Sequence, residues 1–172
     1  MTNVLVYWPD YRMNSAKRET PQWHSNHRIF GDLLPGDRLW VVTSGKSLGL
    51  ENESAAYLVA VWPVAQVVKN TGDDPQYPAR KYQFRVLVSE TEAIQLDEPV
   101  YVDHLIRGEG YDDRIPVGRF LRGPRRLTDE KVRHLRSAAG AEMARKWLTA
   151  SNPRDGNGTA IVKTSEEQGQ TR

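Results

Sequence analysis

A chain of 172 residues has the length of one domain, or of one domain with a tail, and its 38% hydrophobic and 27% charged residues are those of an ordinary globular protein. The absence of cysteine excludes disulfides, thiolate nucleophiles and every Cys-based zinc or iron–sulfur site. With 24 Lys and Arg against 22 Asp and Glu the net charge is only +2, so an electrostatic argument for a nucleic-acid partner has to rest on a local patch.

In chain order, Val4 to Trp8 is an apolar run ended by Pro9 and predicts a first strand. It lacks the basic flank of a secretory leader, so the expected location is cytoplasmic. Residues 10–32 are polar and mixed, a loop with room for one helix. Leu34-Pro35-Gly36-Asp37 is a turn, in which proline presets φ and glycine supplies a positive φ. The β-branched and aromatic residues that follow, to Thr43, predict a strand. Residues 44–54 are rich in Gly, Ser and Asn and predict a loop. Ala55 to Val68 is the longest apolar stretch, a strand bent near Pro63; it is too short and too interrupted to span a bilayer, and no membrane partner is expected.

Residues 69–80 form a second polar loop. Tyr82 to Ser89 alternates, with Tyr82, Phe84, Val86 and Val88 on one face of a strand. Pro99 to Ile106 suits a strand or a short helix, and residues 107–126 are rich in Gly, Pro and Arg. From Asp129 a helix is predicted, with Thr128 as N-cap and Val132, Leu135, Ala139, Met143 and Trp147 on one stripe that Gly140 can interrupt. From residue 151 almost nothing can be buried, which predicts a disordered polar tail over 151–172 and a single domain over 1–150. Short strands without regular βα alternation argue against a doubly wound parallel sheet. They point to an α+β fold, a curved and partly closed mixed or antiparallel sheet with flanking helices.

The order of these pieces resembles the EVE domain family of the PUA-like superfamily, which also holds the YTH, ASCH and SRA-type domains. The matching stretches are Tyr7-Trp8; Trp23-His24-Ser25-Asn26; Pro35-Gly36-Asp37-Arg38 leading into Leu39-Trp40-Val41-Val42; Tyr57-Leu58-Val59-Ala60-Val61; Tyr77-Pro78 before Tyr82-Gln83-Phe84-Arg85-Val86; and Leu127-Thr128-Asp129-Glu130. They span residues 4 to 136, and the likeness lies in their order and spacing, since each alone is common. The resemblance implies a β pseudo-barrel with a pocket between the first helical region and the barrel mouth, where similar domains accept a modified base flipped from DNA or RNA. The 44–54 loop and the Arg-rich 107–126 segment depart from the family pattern.

A flipped base needs aromatic faces and a few hydrogen-bonding groups for its edge. Trp23, Ser25 and Asn26 supply both within four residues; the alternative for Trp23 is a plug in the barrel end. Asn14 and Ser15 sit in the loop that faces the pocket in similar domains, or serve as loop caps. Trp62 precedes the bend at Pro63 and can face the pocket or the core, and Trp8 can line the same opening. Trp40 lies within an apolar strand, where core packing is the stronger alternative, and Trp147 belongs to the helix stripe.

From Arg107 to Arg136 nine basic residues face five acids, so this segment is +4. Arg119, Arg122, Arg125 and Arg126 have no acid between Asp113 and Asp129 and are candidates for phosphate, which the guanidinium fork binds through two oxygens. The alternative is a solvated loop of local ion pairs. Ser44-Gly45-Lys46-Ser47 is not a P-loop, because the glycine that motif needs five positions earlier is Trp40. His24 and His27 have no evident third ligand, so neither a metal nor a cofactor is implied. The expected function is a reader that binds DNA or RNA at a modified base. The rivals are a small hydrolase on the same scaffold, for which Lys17 or Lys46 would have to serve, and a protein-interaction domain that meets an acidic partner.

Overall fold

A computed structural model describes residues 1–11, 22–108, 112 and 114–151. Asn14, Ser15, Lys17 and residues 152–172 lie outside the described residues, as does the side chain of Trp147. The elements are β1 (Asn3–Tyr7), β2 (Gln22–Ser25), a 3-10 turn (Arg28–Phe30), β3 (Arg38–Ser44), α1 (Gly45–Leu48), β4 (Ala56–Lys69), β5 (Phe84–Val88), β6 (Ile94–Tyr101), α2 (Asp103–Arg107), α3 (Val117–Phe120), β7 (Arg125–Arg126) and α4 (Asp129–Ser151). The architecture is mixed α+β. The strand order is β2-β5-β4-β3-β1-β7, with β6 also on β4, and every pairing is antiparallel except β1 with β3. The sheet is open, because β2 and β7 at its two ends share no ladder among the described residues. No helix among those residues is long and apolar enough to cross a membrane.

β4 is the spine. Its first half pairs with β3 on one edge and β6 on the other, and its second half pairs with β5. Val64 gives its N–H to the Asp37 carbonyl (2.7 Å) and accepts from the Gly36 N–H (2.9 Å), whereas the Pro63 carbonyl accepts from Ser89 (2.9 Å). Neighbouring residues of a strand address opposite edges, so β5 and β6 follow each other along one edge and Pro63 faces the gap between them. Only its carbonyl is needed there, and a residue without an N–H fits.

Two extra residues on β4 shape the sheet. The register shifts by one at Val59 against β3 and at Ala65 against β5. A bulge deepens twist and turns the side-chain alternation over. Ala56 and Leu58 therefore face the helices, with Leu5, Trp40, Val42, Ile106, Val117, Val132 and Leu135. Ala60, Trp62 and Val64 face the other core, with Val4, Val6, Phe30, Leu39, Val41 and Val86. Both faces of the central strands are buried, which accounts for the unbroken apolar runs in β3 and β4.

Helix α4 starts as predicted, with the Lys131 N–H on Thr128 Oγ1 (3.3 Å). Val132, Leu135, Ala139 and Met143 are buried on one stripe, and Gly140 (φ 55°, ψ −142°) breaks the helix in two, a geometry that a side chain would strain. Three predicted segments differ. Residues 22–25, taken as loop or helix, form edge strand β2, because their backbone bonds to β5 outweigh a polar composition. The strand expected from Pro99 begins at Ile94, where Ile94 and Leu96 point inward between polar neighbours, and Pro99 lies within it. The 44–54 loop contains α1, whose N-cap Ser44 accepts from the Ser47 N–H (3.2 Å).

Candidate nucleic-acid interface

Three aromatic residues gather on the face away from the helices. Trp8 meets Trp62 edge-on (centroids 5.4 Å apart) and Tyr11 likewise (5.3 Å). Trp8 is held by its backbone, with its N–H on the Val42 carbonyl (2.9 Å) and its own carbonyl accepting from Thr43 Oγ1 (2.7 Å). The Tyr11 hydroxyl accepts from the Gln95 amide. Trp62 is buried beneath, while Trp8, Tyr11 and Trp23 are half-buried against the same cluster. The bulge at Val59 puts Trp62 here; unbroken alternation from Ala56 and Leu58 would have turned it toward the helices.

Trp40 is elsewhere. It is fully buried on the helix side, and its Nε1 donates to Asn3 Oδ1 (2.9 Å), so the indole is a core residue and no wall of this group. Trp23 sits on β2 opposite Val86. Ser25 Oγ accepts from the His27 N–H (3.1 Å), and His27 Nδ1 accepts from the Ile29 N–H (3.3 Å), so both side chains shape the turn after β2. Asn26 is exposed in that turn, and no hydrogen bond engages its amide among the described residues.

On the reverse of β2, His24 stacks on Tyr77 (3.9 Å, 9°), with Tyr82 edge-on at 6.4 Å. Burial, and then the Arg85 guanidinium, hold the His24 imidazole below its ordinary value, with Asp74 opposing.

The arginines divide by role. Arg107 is no part of a basic surface: its side chain is 2% exposed, its Nε bonds Asp103 Oδ1 (2.7 Å), and its two terminal nitrogens reach the Ser54 carbonyl (2.7 Å) and the Ile115 carbonyl. Arg114 is engaged by Asp112 (2.9 Å). Arg119 and Arg122 are exposed and take part in no ion pair among the described residues. Arg125 lies over the Phe120 ring (4.3 Å to the centroid) and donates to the Phe120 carbonyl (2.8 Å), which holds its guanidinium in place. Arg126 bonds Asp32 (3.2 Å). Gly118 does not serve a ligand: a Cβ there would stand 2.7 Å from the Tyr7 ring, so its smallness lets α3 lie on β1.

The segment after β2 joins the two groups. β2 and β7 are the two ends of the strand order, yet Asp32 holds Arg126, and a Cβ at Gly123 would stand 3.8 Å from His27 Cδ2. Residues 26–32 thus bridge the two rims of a curled sheet. They set Asn26 next to the strand that carries Trp23 and bring the 122–126 run to the same seam. Tyr11 and Phe120 were not among the sequence candidates. The spacing of Trp8 and Tyr11 is a signal for the first, whereas nothing in the sequence singles out Phe120 as the seat of an arginine. No family model matches the chain, and no curated protein matches it in sequence.

Proposed function

We propose that this chain is a nucleic-acid-binding module of the PUA-like, EVE type. In this reading a base flipped out of DNA or RNA, in particular a modified one, stacks on Trp23 beside Trp8, with Trp62 as the floor. Asn26 reads the base edge, and Arg119, Arg122 and Arg125 hold the flanking phosphates. The observation that supports it is the seam: residues 26–32 follow the strand that carries Trp23 and meet Gly123 and Arg126 of the Arg-rich segment. Stacking recognises a π face and guanidinium forks recognise phosphate, and a strand with one everted base presents both.

The test is the binding of Trp23→Ala to paired oligonucleotides with and without a modified base, followed by fluorescence anisotropy. Loss of one stacking face is worth about 1–3 kcal/mol, a weakening of about 5- to 150-fold on the modified strand and much less on the unmodified one. Equal loss on both strands, or none, would remove the pocket from the proposal. Arg119→Ala and Arg122→Ala are expected to lower affinity evenly across sequences and to flatten its salt dependence.

A further inference from the structure

A concavity opens at the seam itself. It is a cleft of about 500 Å³ lined by His27, Arg28, Ile29, Asp32 and Arg126. Two of these side chains are guanidinium groups and a third is an imidazole, against a single carboxylate. Arg28 is exposed and enters no ion pair among the described residues. His27 accepts the Ile29 N–H at Nδ1, which leaves Nε2 as its donor nitrogen in the neutral ring. Arg126 reaches across the cleft to Asp32, and the two side chains are 53% and 69% exposed. A solvated pair of this kind is weak, whereas a phosphoryl group offers a guanidinium two oxygens in its own plane.

We infer that the cleft is a phosphate site. Arg28 and Arg126 grip the phosphoryl group, His27 adds a donor, and Asp32 is an internal competitor that the ligand displaces. The ligand class is a phosphate ester. The inference rests on the nucleic-acid reading for the polymer that carries the phosphate, and on the cleft alone for the phosphate. It adds Arg28 and His27, which flank Asn26 on its C-terminal side, to the path of the backbone. It also gives Arg126 a role apart from that of Arg119 and Arg122.

The experiment follows the arginine Nε–Hε resonances of the full chain by NMR during titration with inorganic pyrophosphate, a 5′-mononucleotide and a single-stranded oligonucleotide. The wild type is compared with Arg28→Ala, Arg126→Ala and Asp32→Asn. Pyrophosphate is expected to shift the Arg28 and Arg126 resonances, and each alanine variant to bind it about three- to tenfold more weakly. Asp32→Asn is expected to bind about threefold more tightly, because the competing carboxylate is gone. Each arginine variant should also lower the salt slope for the oligonucleotide by about one. The cleft is overturned if neither resonance moves with any of the three ligands, or if Asp32→Asn binds no tighter. The two readings fail separately. Pyrophosphate and mononucleotide captured at Arg28 and Arg126, with no oligonucleotide affinity beyond theirs, keep the cleft and remove the polymer. Oligonucleotide binding that both alanine variants retain in full keeps the module and removes the cleft.

Discussion

Arg107→Ala is expected to unfold the protein more readily and to leave the salt dependence of any nucleic-acid binding untouched. The side chain is 2% exposed and that of Asp103 8%, so the 2.7 Å bond between them is shielded from water. Among the described residues, removing the guanidinium strands the Asp103 carboxylate with one remaining donor, the Ala56 N–H (2.8 Å), and takes the Arg107 donors from the Ser54 and Ile115 carbonyls. Breaking one partner of a buried pair costs about 3–5 kcal/mol. For a domain of this length each kcal/mol moves the midpoint by about 2–4 °C, so a fall of about 6–20 °C is expected in a thermal melt read by circular dichroism. Asp103→Ala should be similarly harmful, and the double variant should lose less than the sum of the two, because the stranded charge goes with its partner. A midpoint within about 2 °C of the wild type, or strictly additive losses, would refute the reasoning.

Three further outcomes are expected. Trp40→Phe leaves Asn3 Oδ1 without its buried donor and should lower stability in urea by about 1–3 kcal/mol while oligonucleotide affinity stays constant; a loss of affinity in the folded variant would return Trp40 to the site. Gly45→Ala would place a Cβ 2.0 Å from the Asn52 carbonyl oxygen, a backbone clash that should cost about 1–3 kcal/mol; an unchanged melting midpoint would show that the 44–54 segment gives way freely. His24, held below the ordinary 6.5 by burial and by Arg85, takes up a proton less readily in the native protein than in the unfolded chain. Its contribution to stability is therefore constant above that value and is lost as the pH falls below it, and His24→Gln should abolish this part of the decline in a series of urea midpoints between about pH 7.5 and 5.5. Parallel declines in the two proteins would exclude His24 as the group responsible.

The central strands were legible because β-branched and aromatic runs bounded by turn residues have one economical reading; β3 and β4 lie where those runs lie. The Thr128 cap and the stripe on α4 were legible for the same local reason. β2 was hidden because Gln22, His24 and Ser25 carry no strand signal of their own, and the strand exists through its ladder to β5, some 60 residues away in the chain. Trp62 was ambiguous for a different reason: its face depends on the bulge at Val59, and a register shift leaves no mark where every neighbour is apolar. Among the arginines, Arg119 and Arg126 had the same standing in the sequence as phosphate candidates, and Arg107 counted only in the charge of the segment. Only the placement of Asp103, Asp32 and two backbone carbonyls separates a buried tie from an exposed fork and from one held across a cleft. The seam joins residues about 95 positions apart, beyond the reach of any local pattern.

The meeting of β2 and β7 through residues 26–32 has a topological consequence. A cylinder stitched by a hydrogen-bonded ladder admits a long polymer only by threading, end first, because parting the ladder breaks a cooperative row. Among the described residues, a solvated ion pair ties the two rims, and His27 lies close to Gly123. Such fastenings yield at far less cost than the sheet behind them. Under the proposed function, a strand without a free end would be laid in from the side, and the tie refastened on its phosphate.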